Sequence, residues 1–231
     1  MKKIQILLLL SLMTVLLVSC AGMFAARKSP PAVLANINTF QMSIATVNMN
    51  RFLATDIDIK DIQLFLDPRK DIVELRFPFQ GAKFIWCLTR EGRDSLRTAI
   101  AAYDADFAAK KLERDTGKKM QYGILKLPII WGTFTYNAQA TAALQLGYKF
   151  IDKAPYFSIV LPETTNEMFD KTGGASSRSS GYVAIFCTRA QAAALSDMLA
   201  QDYLLAKLAE QKVPDHLLPE GQSALNAPDQ Y

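Results

Sequence analysis

Three short apolar runs, each stopped by turn residues, constrain this chain more than any other feature. Ile57, Ile59, Ile62, Leu64 and Leu66 form a mostly alternating run that halts at Asp67-Pro68-Arg69-Lys70. Ile72 to Phe77 follows, then Pro78 and Gly81, then Lys83 to Leu88. Alternation puts successive side chains on opposite faces of a strand, and β-branched and aromatic residues fit a pleated, half-buried surface. Pro68 presets φ for the second position of a turn. Runs of this kind joined by tight turns predict an antiparallel meander.

A helix is predicted next. Thr89 opens it, and Leu96, Ala99, Ile100, Tyr103 and Phe107 recur at three- and four-residue spacing on one face. It should end before Thr116-Gly117. The rest of the chain follows a similar plan. Strands are expected over residues 122–136, with Pro128 and Gly132 marking a bend or an edge, and over 142–151, 156–161 and 182–187. Thr188 then starts a helix whose apolar face carries Ala192, Leu195, Leu199, Tyr203 and Ala206, and Thr188 with Gln191 has the spacing of a capping box. Between Asn36 and Arg51 a strand and a short helix are both open.

The two strand-to-helix junctions echo each other: FIWCLTREGRDSLRTAI and AIFCTRAQAAALSDML each carry a cysteine, then Thr-Arg, then a helix. The expected fold is therefore α+β: an antiparallel meander with two main helices, built from an internally duplicated strand-rich unit that ends in a helix. The units are expected at 36–118 and 119–213, with a flexible tail over 214–231, which is rich in Pro, Gly and polar residues.

The start of the chain has a different character. Lys2 and Lys3 precede an apolar stretch from Ile4 to Val18, too short to span a bilayer comfortably, which ends in Leu17-Val18-Ser19-Cys20. This resembles the lipobox of bacterial lipoproteins. The resemblance implies a signal peptide over 1–19, cleaved before Cys20, and acyl chains such as palmitate on Cys20 and the new amino terminus. Residues 20–35 would then be a lipidated tether containing Ser29-Pro30-Pro31. Two or three acyl chains, at roughly 0.8 kcal/mol per buried CH₂, give stable membrane attachment. The resemblance implies a bacterial cell-envelope location. Ala21, rather than aspartate, after the cysteine favours the outer membrane over the inner, with the mature domain periplasmic or extracellular. An ordinary secretory signal with a chance cysteine, or an uncleaved N-terminal membrane helix, is the plain alternative.

The chain has 26 basic and 22 acidic side chains; losing Lys2 and Lys3 with the signal leaves 24 against 22. That balance gives no reason to expect nucleic acid as a partner. One histidine and two cysteines beyond Cys20 argue against a structural zinc site, and no cofactor motif is present. Cys87 and Cys187 could form a disulfide in an oxidising compartment or stay as buried thiols. No catalytic residue stands out. Carboxylate pairs such as Asp56/Asp58, Asp104/Asp106 and Glu163/Glu167 could serve a hydrolase only if they faced each other across a cleft. Residues 172–181, with Gly173-Gly174, fit a hairpin loop better than a phosphate cradle.

Four residues are candidates for ligand binding. Arg90 and Arg189 sit in the first turns of their helices, where the helix dipole disfavours a cation. Trp86 and Trp131 lie on strands and either fill the core or line a groove for a lipid-like or apolar ligand. Together these features fit a membrane-anchored envelope lipoprotein with a non-enzymatic binding or assembly role towards a protein partner or lipid-like ligand. An envelope hydrolase using paired carboxylates and a purely structural lipoprotein are the alternatives.

Overall fold

The strands predicted from alternation form, but they close on one another. The computed structural model describes residues 33–50, 57–114, 118, 120–133, 135, 138–172 and 177–219. Four strands come first: β1 (Phe40–Asn50), β2 (Ile57–Asp67), β3 (Ile72–Phe79) and β4 (Ala82–Leu88), followed by helix α1 (Arg90–Ala108). Then come β5 (Ile124–Gly132), β6 (Ala138–Ile151), β7 (Ala154–Leu161) and β8 (Val183–Cys187), followed by α2 (Arg189–Met198) and α3 (Gln201–Glu210). Each strand pairs antiparallel with the next, and β8 returns to β1, so the eight form a closed barrel.

This corrects the expected α+β architecture. The two halves do not build separate open sheets; β4 pairs with β5 from Lys83↔Gly132 to Trp86↔Ile129, across the whole α1 connection. Closure satisfies the edges that an open meander would leave unpaired. The described residues belong to one compact unit. Pro128 marks no sheet edge: it lies within the barrel, opposite Thr141.

The closing seam is short. Backbone pairing of β1 with β8 covers only Asn48↔Phe186 and Met49↔Ile185. Two asparagines extend it. Asn48 Nδ2 donates to the Phe186 carbonyl at 3.2 Å, and the Ala184 N–H donates to Asn50 Oδ1 at 2.8 Å.

Alternation is clearest in β3, β5 and β6. Inward go Val73, Leu75, Phe77, Phe84, Trp86, Ile129 and Trp131, all in one core. Outward and exposed go Thr46, Asp61, Gln63, Lys83, Lys126 and Thr141, with Ile44 and Ile59 as scattered apolar exceptions. A barrel that spans a bilayer needs the reverse, an apolar band outside. Among the described residues no helix is long and apolar enough to cross a membrane.

Antiparallel order puts the β2–β3, β4–β5 and β6–β7 connections and the end of β8 at one mouth of the barrel. All three helices arise there. Their Leu96, Ile100, Leu195, Leu199, Leu204 and Leu208 join the barrel's own core, so the helices plug that mouth. Burial of each such leucine contributes roughly 1.5–3 kcal/mol. The opposite mouth carries the remaining connections, including the tight β3–β4 hairpin, where Gln80 and Gly81 both take positive φ (50° and 79°).

The second expected helix is two helices. Ala200 is extended (φ −66°, ψ 142°) and separates α2 from α3. The buried residues change phase at that point, from Ala192 and Leu195 on α2 to Leu204 and Leu208 on α3. A continuous helix could not have aimed both sets inward. The start of the expected tail is also held: Val213 is buried, and the Asn36 N–H donates to the Leu217 carbonyl at 2.6 Å.

Candidate functional site at the plugged end

The Thr89 side chain accepts the Gly92 N–H at 3.2 Å and starts α1 immediately after β4. One face of α1 then turns inward, carrying Leu96, Ala99, Ile100 and Tyr103. Arg93 lies on that same face and is buried, 1 % exposed. Its guanidinium donates to the Asp71 carbonyl and Asp71 Oδ1, both at 2.8 Å, and to Gln201 Oε1 at 2.7 Å. Asp71 ends the β2–β3 turn with φ 53°, a conformation that aspartate tolerates better than most residues. One buried ion pair thus ties together the β2–β3 turn, α1 and α3. Taking a single partner from such a pair costs about 3–5 kcal/mol, because it strands the other charge.

The outer face of α1 borders a groove of about 830 Å³. Arg90, Glu91, Asp94, Thr98 and Ala102 line one wall, and Gln121 and Tyr122 stand across from them. The Tyr122 hydroxyl donates to Asp106 Oδ2 at 3.2 Å, which fixes the second wall to the helix. Burial, then the Asp106 carboxylate, pushes the Tyr122 hydroxyl pKa up, so it remains a donor. Glu91 and Asp94 are the groove's two carboxylates, and both project from α1. No carboxylate faces them among the lining residues.

Arg90 and Arg189 are not brought together. Arg90 is 3.8 Å from Asp71 Oδ2 and lines the groove. Arg189 pairs with Asp104 on α1 and stacks over Phe107, 5.0 Å from the ring centroid. The hydrogen bond from Arg189 holds the Asp104 carboxyl below its ordinary range and the guanidinium above its own. The pair is therefore charged at neutral pH and weakens only as acid protonates Asp104; it joins α2 to α1.

Trp86 and Trp131 are each 1 % exposed and lie inside the barrel, so neither opens on a surface. Phe77 packs edge-on to Trp86 at 5.1 Å and stacks on Phe84 at 5.6 Å. Neither indole N–H has a hydrogen-bond partner among the described residues.

Cys87 and Cys187 do not meet: both are free thiols. Cys87 points outward on β4 opposite Glu74, whereas Cys187 points into the core on β8, across the barrel. Burial, helped by Glu74, pushes the Cys87 thiol up to about 11; burial alone takes Cys187 to about 12.

The carboxylates named from sequence are engaged in structure. Asp104 holds Arg189, Asp106 accepts from Tyr122, Glu163 accepts from Ser179 Oγ, and Glu167 accepts the Thr141 N–H. Asp58 lies 4.0 Å from Lys60. Asp56, Gly173-Gly174, and the expected signal peptide and tether up to residue 32, Cys20 included, lie outside the described residues. Among the described residues no group of His, Cys, Asp and Glu is placed to hold a metal.

Sequence reasoning missed Arg93, Asp71 and Gln201. Arg93 had a signal: it sits three residues before Leu96, in the apolar stripe, where a charge demands a buried partner. Nothing local pointed to Gln201.

A closed eight-stranded antiparallel barrel, apolar inside and plugged at one mouth by three helices, with a groove along the first of them, defines the structural class. The chain belongs to the family described as "Uncharacterised Treponema protein", whose model matches residues 39–206. No curated protein and no solved structure matches it significantly.

Proposed function

We propose that this chain is a lipid-anchored bacterial envelope protein that binds a protein partner through the groove along α1 and does no chemistry of its own. The observation that carries the reading is the groove's construction. Its charged residues come from one helix, so they can hold a polar surface but cannot flank a scissile bond from both sides. The barrel interior is filled by aromatic and aliphatic side chains, which directs binding to the outside. The charged and polar residues spread over the outer wall, Asp61, Lys83 and Lys126 among them, support an anchor through acylated Cys20 rather than through the strands. The alternative ligand, a lipid held inside the barrel, would have to displace Trp86 or Trp131 from a packed core.

The test is photocrosslinking in intact cells from a reactive side chain at Thr98, in the groove, against one at Gln63, on the outer wall. A discrete adduct from position 98 and none from 63 supports the reading. Equal capture from both, or none from 98, removes the groove as the binding surface. Cys20→Ser should release the protein from the membrane fraction; retention would remove lipidation as the anchor.

A further inference from the structure

We propose that the plugged mouth faces the bilayer and that the α1–β5 connection rests on anionic lipid headgroups; this deepens the lipoprotein reading above and depends on it. The chain enters the barrel at the plugged mouth. The Val33 N–H donates to the Arg69 carbonyl at 3.2 Å and the Leu34 N–H to the Pro68 carbonyl at 2.9 Å, both in the β2–β3 turn. Val33 is only thirteen residues beyond Cys20, so even a fully extended tether keeps this mouth within about 45 Å of the acyl chains.

Charge then selects the surface. The α1–β5 connection carries exposed Lys110, Lys111, Arg114 and Lys118; Glu113, the one described acid among them, lies 3.5 Å from Lys118 and leaves the other three cations in excess. Two of its described residues are held to β6. The Tyr148 N–H donates to the Lys118 carbonyl at 3.1 Å, and the Glu113 N–H donates to the Tyr148 hydroxyl at 3.3 Å. These bonds hold Glu113 and Lys118 against β6, whose turn into β7 presents the neutral pair Asp152 and Lys153. Met120, 54 % exposed, and Ile124, 56 % exposed, add apolar side chains next to the cations. A cationic rim with protruding apolar residues suits the interface of a bilayer bearing anionic headgroups. The opposite mouth lacks this bias: Lys171 and Arg178 there are matched by Glu163, Glu167 and Asp170. In this orientation the groove, whose second wall is the same connection, opens at the membrane surface, so the partner it fits is itself membrane-associated.

Lysine acylation read by mass spectrometry tests this on the full lipidated protein. It is reconstituted in vesicles of phosphatidylcholine alone and of phosphatidylcholine containing phosphatidylglycerol. The expected result is several-fold protection of Lys110, Lys111 and Lys118 on the anionic vesicles relative to the neutral ones, with Lys60, Lys83 and Lys171 unchanged. The triple variant Lys110→Glu, Lys111→Glu, Arg114→Glu, altering exposed residues only, should abolish the protection at Lys118. Equal protection at both mouths, or none at either, with a lipidated Cys20 confirmed in the same spectra, overturns the orientation and leaves the anchor standing. An unmodified Cys20 overturns the anchor and the orientation together.

Discussion

The two strand-to-helix junctions start from nearly the same residues and finish as different structures. Both use a threonine cap followed by arginine, at Thr89-Arg90 and Thr188-Arg189. At the first, Arg93 plunges inward to Asp71 and Gln201 beneath a nineteen-residue helix. At the second, Gln191 closes a capping box, its Oε1 also accepts from Asn48 Nδ2 at 2.9 Å, and the helix stops after ten residues. The cysteines diverge as well. Cys87 stands two residues before its threonine and Cys187 one before, and an odd offset on a strand reverses the face. A shared cap fixes where a helix starts. Everything after that depends on what the packing supplies.

The sharpest way to break the comparison is at the buried pair, which only the first junction has. Asp71→Asn keeps the shape and the tolerance for positive φ but removes the charge facing Arg93. A loss of about 3–5 kcal/mol in urea unfolding is expected. The corresponding surface pair, Arg189 with Asp104, is solvent-exposed, and its removal should produce a much smaller, salt-sensitive change. If the two losses were equal, the first junction would owe nothing to its buried charge.

The cysteines sharpen the contrast through pH. Burial keeps the Cys187 thiol neutral to about 12 in the folded protein, whereas an unfolded thiol ionises near 8.5. Between those values the unfolded chain releases a proton that the folded one retains, so stability falls as pH rises. The contribution of Cys187 is intact below about pH 8 and shrinks by about 2 kcal/mol by pH 10. Comparing urea midpoints at pH 8 and pH 10 for the parent and for Cys187→Ala isolates it: the variant should lose less across the interval. Half-buried Cys87 should react slowly with a thiol reagent in the native state, and Cys187 only as fast as the protein opens. Rapid native labelling of Cys187 would contradict its inward placement.

Most of the local structure was legible in the sequence. Ile62 to Leu66, Ile72 to Phe77 and Lys83 to Leu88 announced strands because each element's inward face repeats every second residue, and the stripe from Leu96 to Phe107 announced α1; Ile57 and Ile59, in the opposite phase of β2, do not join the core, and Ile59 is exposed. Closure was not legible. It rests on Lys83 finding Gly132 and Asn48 finding Phe186, pairings across 49 and 138 residues whose side chains carry no mark of their partners. The break at Ala200 was hidden for a related reason. No proline or glycine lies there, and only the phase change from Leu195 to Leu204 records it. The groove was harder still, since Gln121 and Tyr122 meet α1 only because the connection folds back along it.

The smallest expected effect concerns the caps, and it tests what the junctions share. Thr89 Oγ1 accepts from the Gly92 N–H, and Thr188 Oγ1 from the Gln191 N–H, each at 3.2 Å. Either threonine to alanine removes one acceptor from an otherwise unpaired donor in the first turn, at a cost of about 1 kcal/mol. Thr89→Ala and Thr188→Ala should therefore shift the urea midpoint alike. Gln191→Ala should add a loss found only at the second junction, because Gln191 also accepts the Thr188 N–H at 2.9 Å and steadies Asn48 at the barrel's short seam. Hydrogen exchange should show that extra loss as faster opening at Phe186 and Asn48, with the β4–α1 junction unchanged. If Thr188→Ala alone opened the seam, the cap and the seam would be one cooperative unit, and the likeness of the two junctions would end at their sequence.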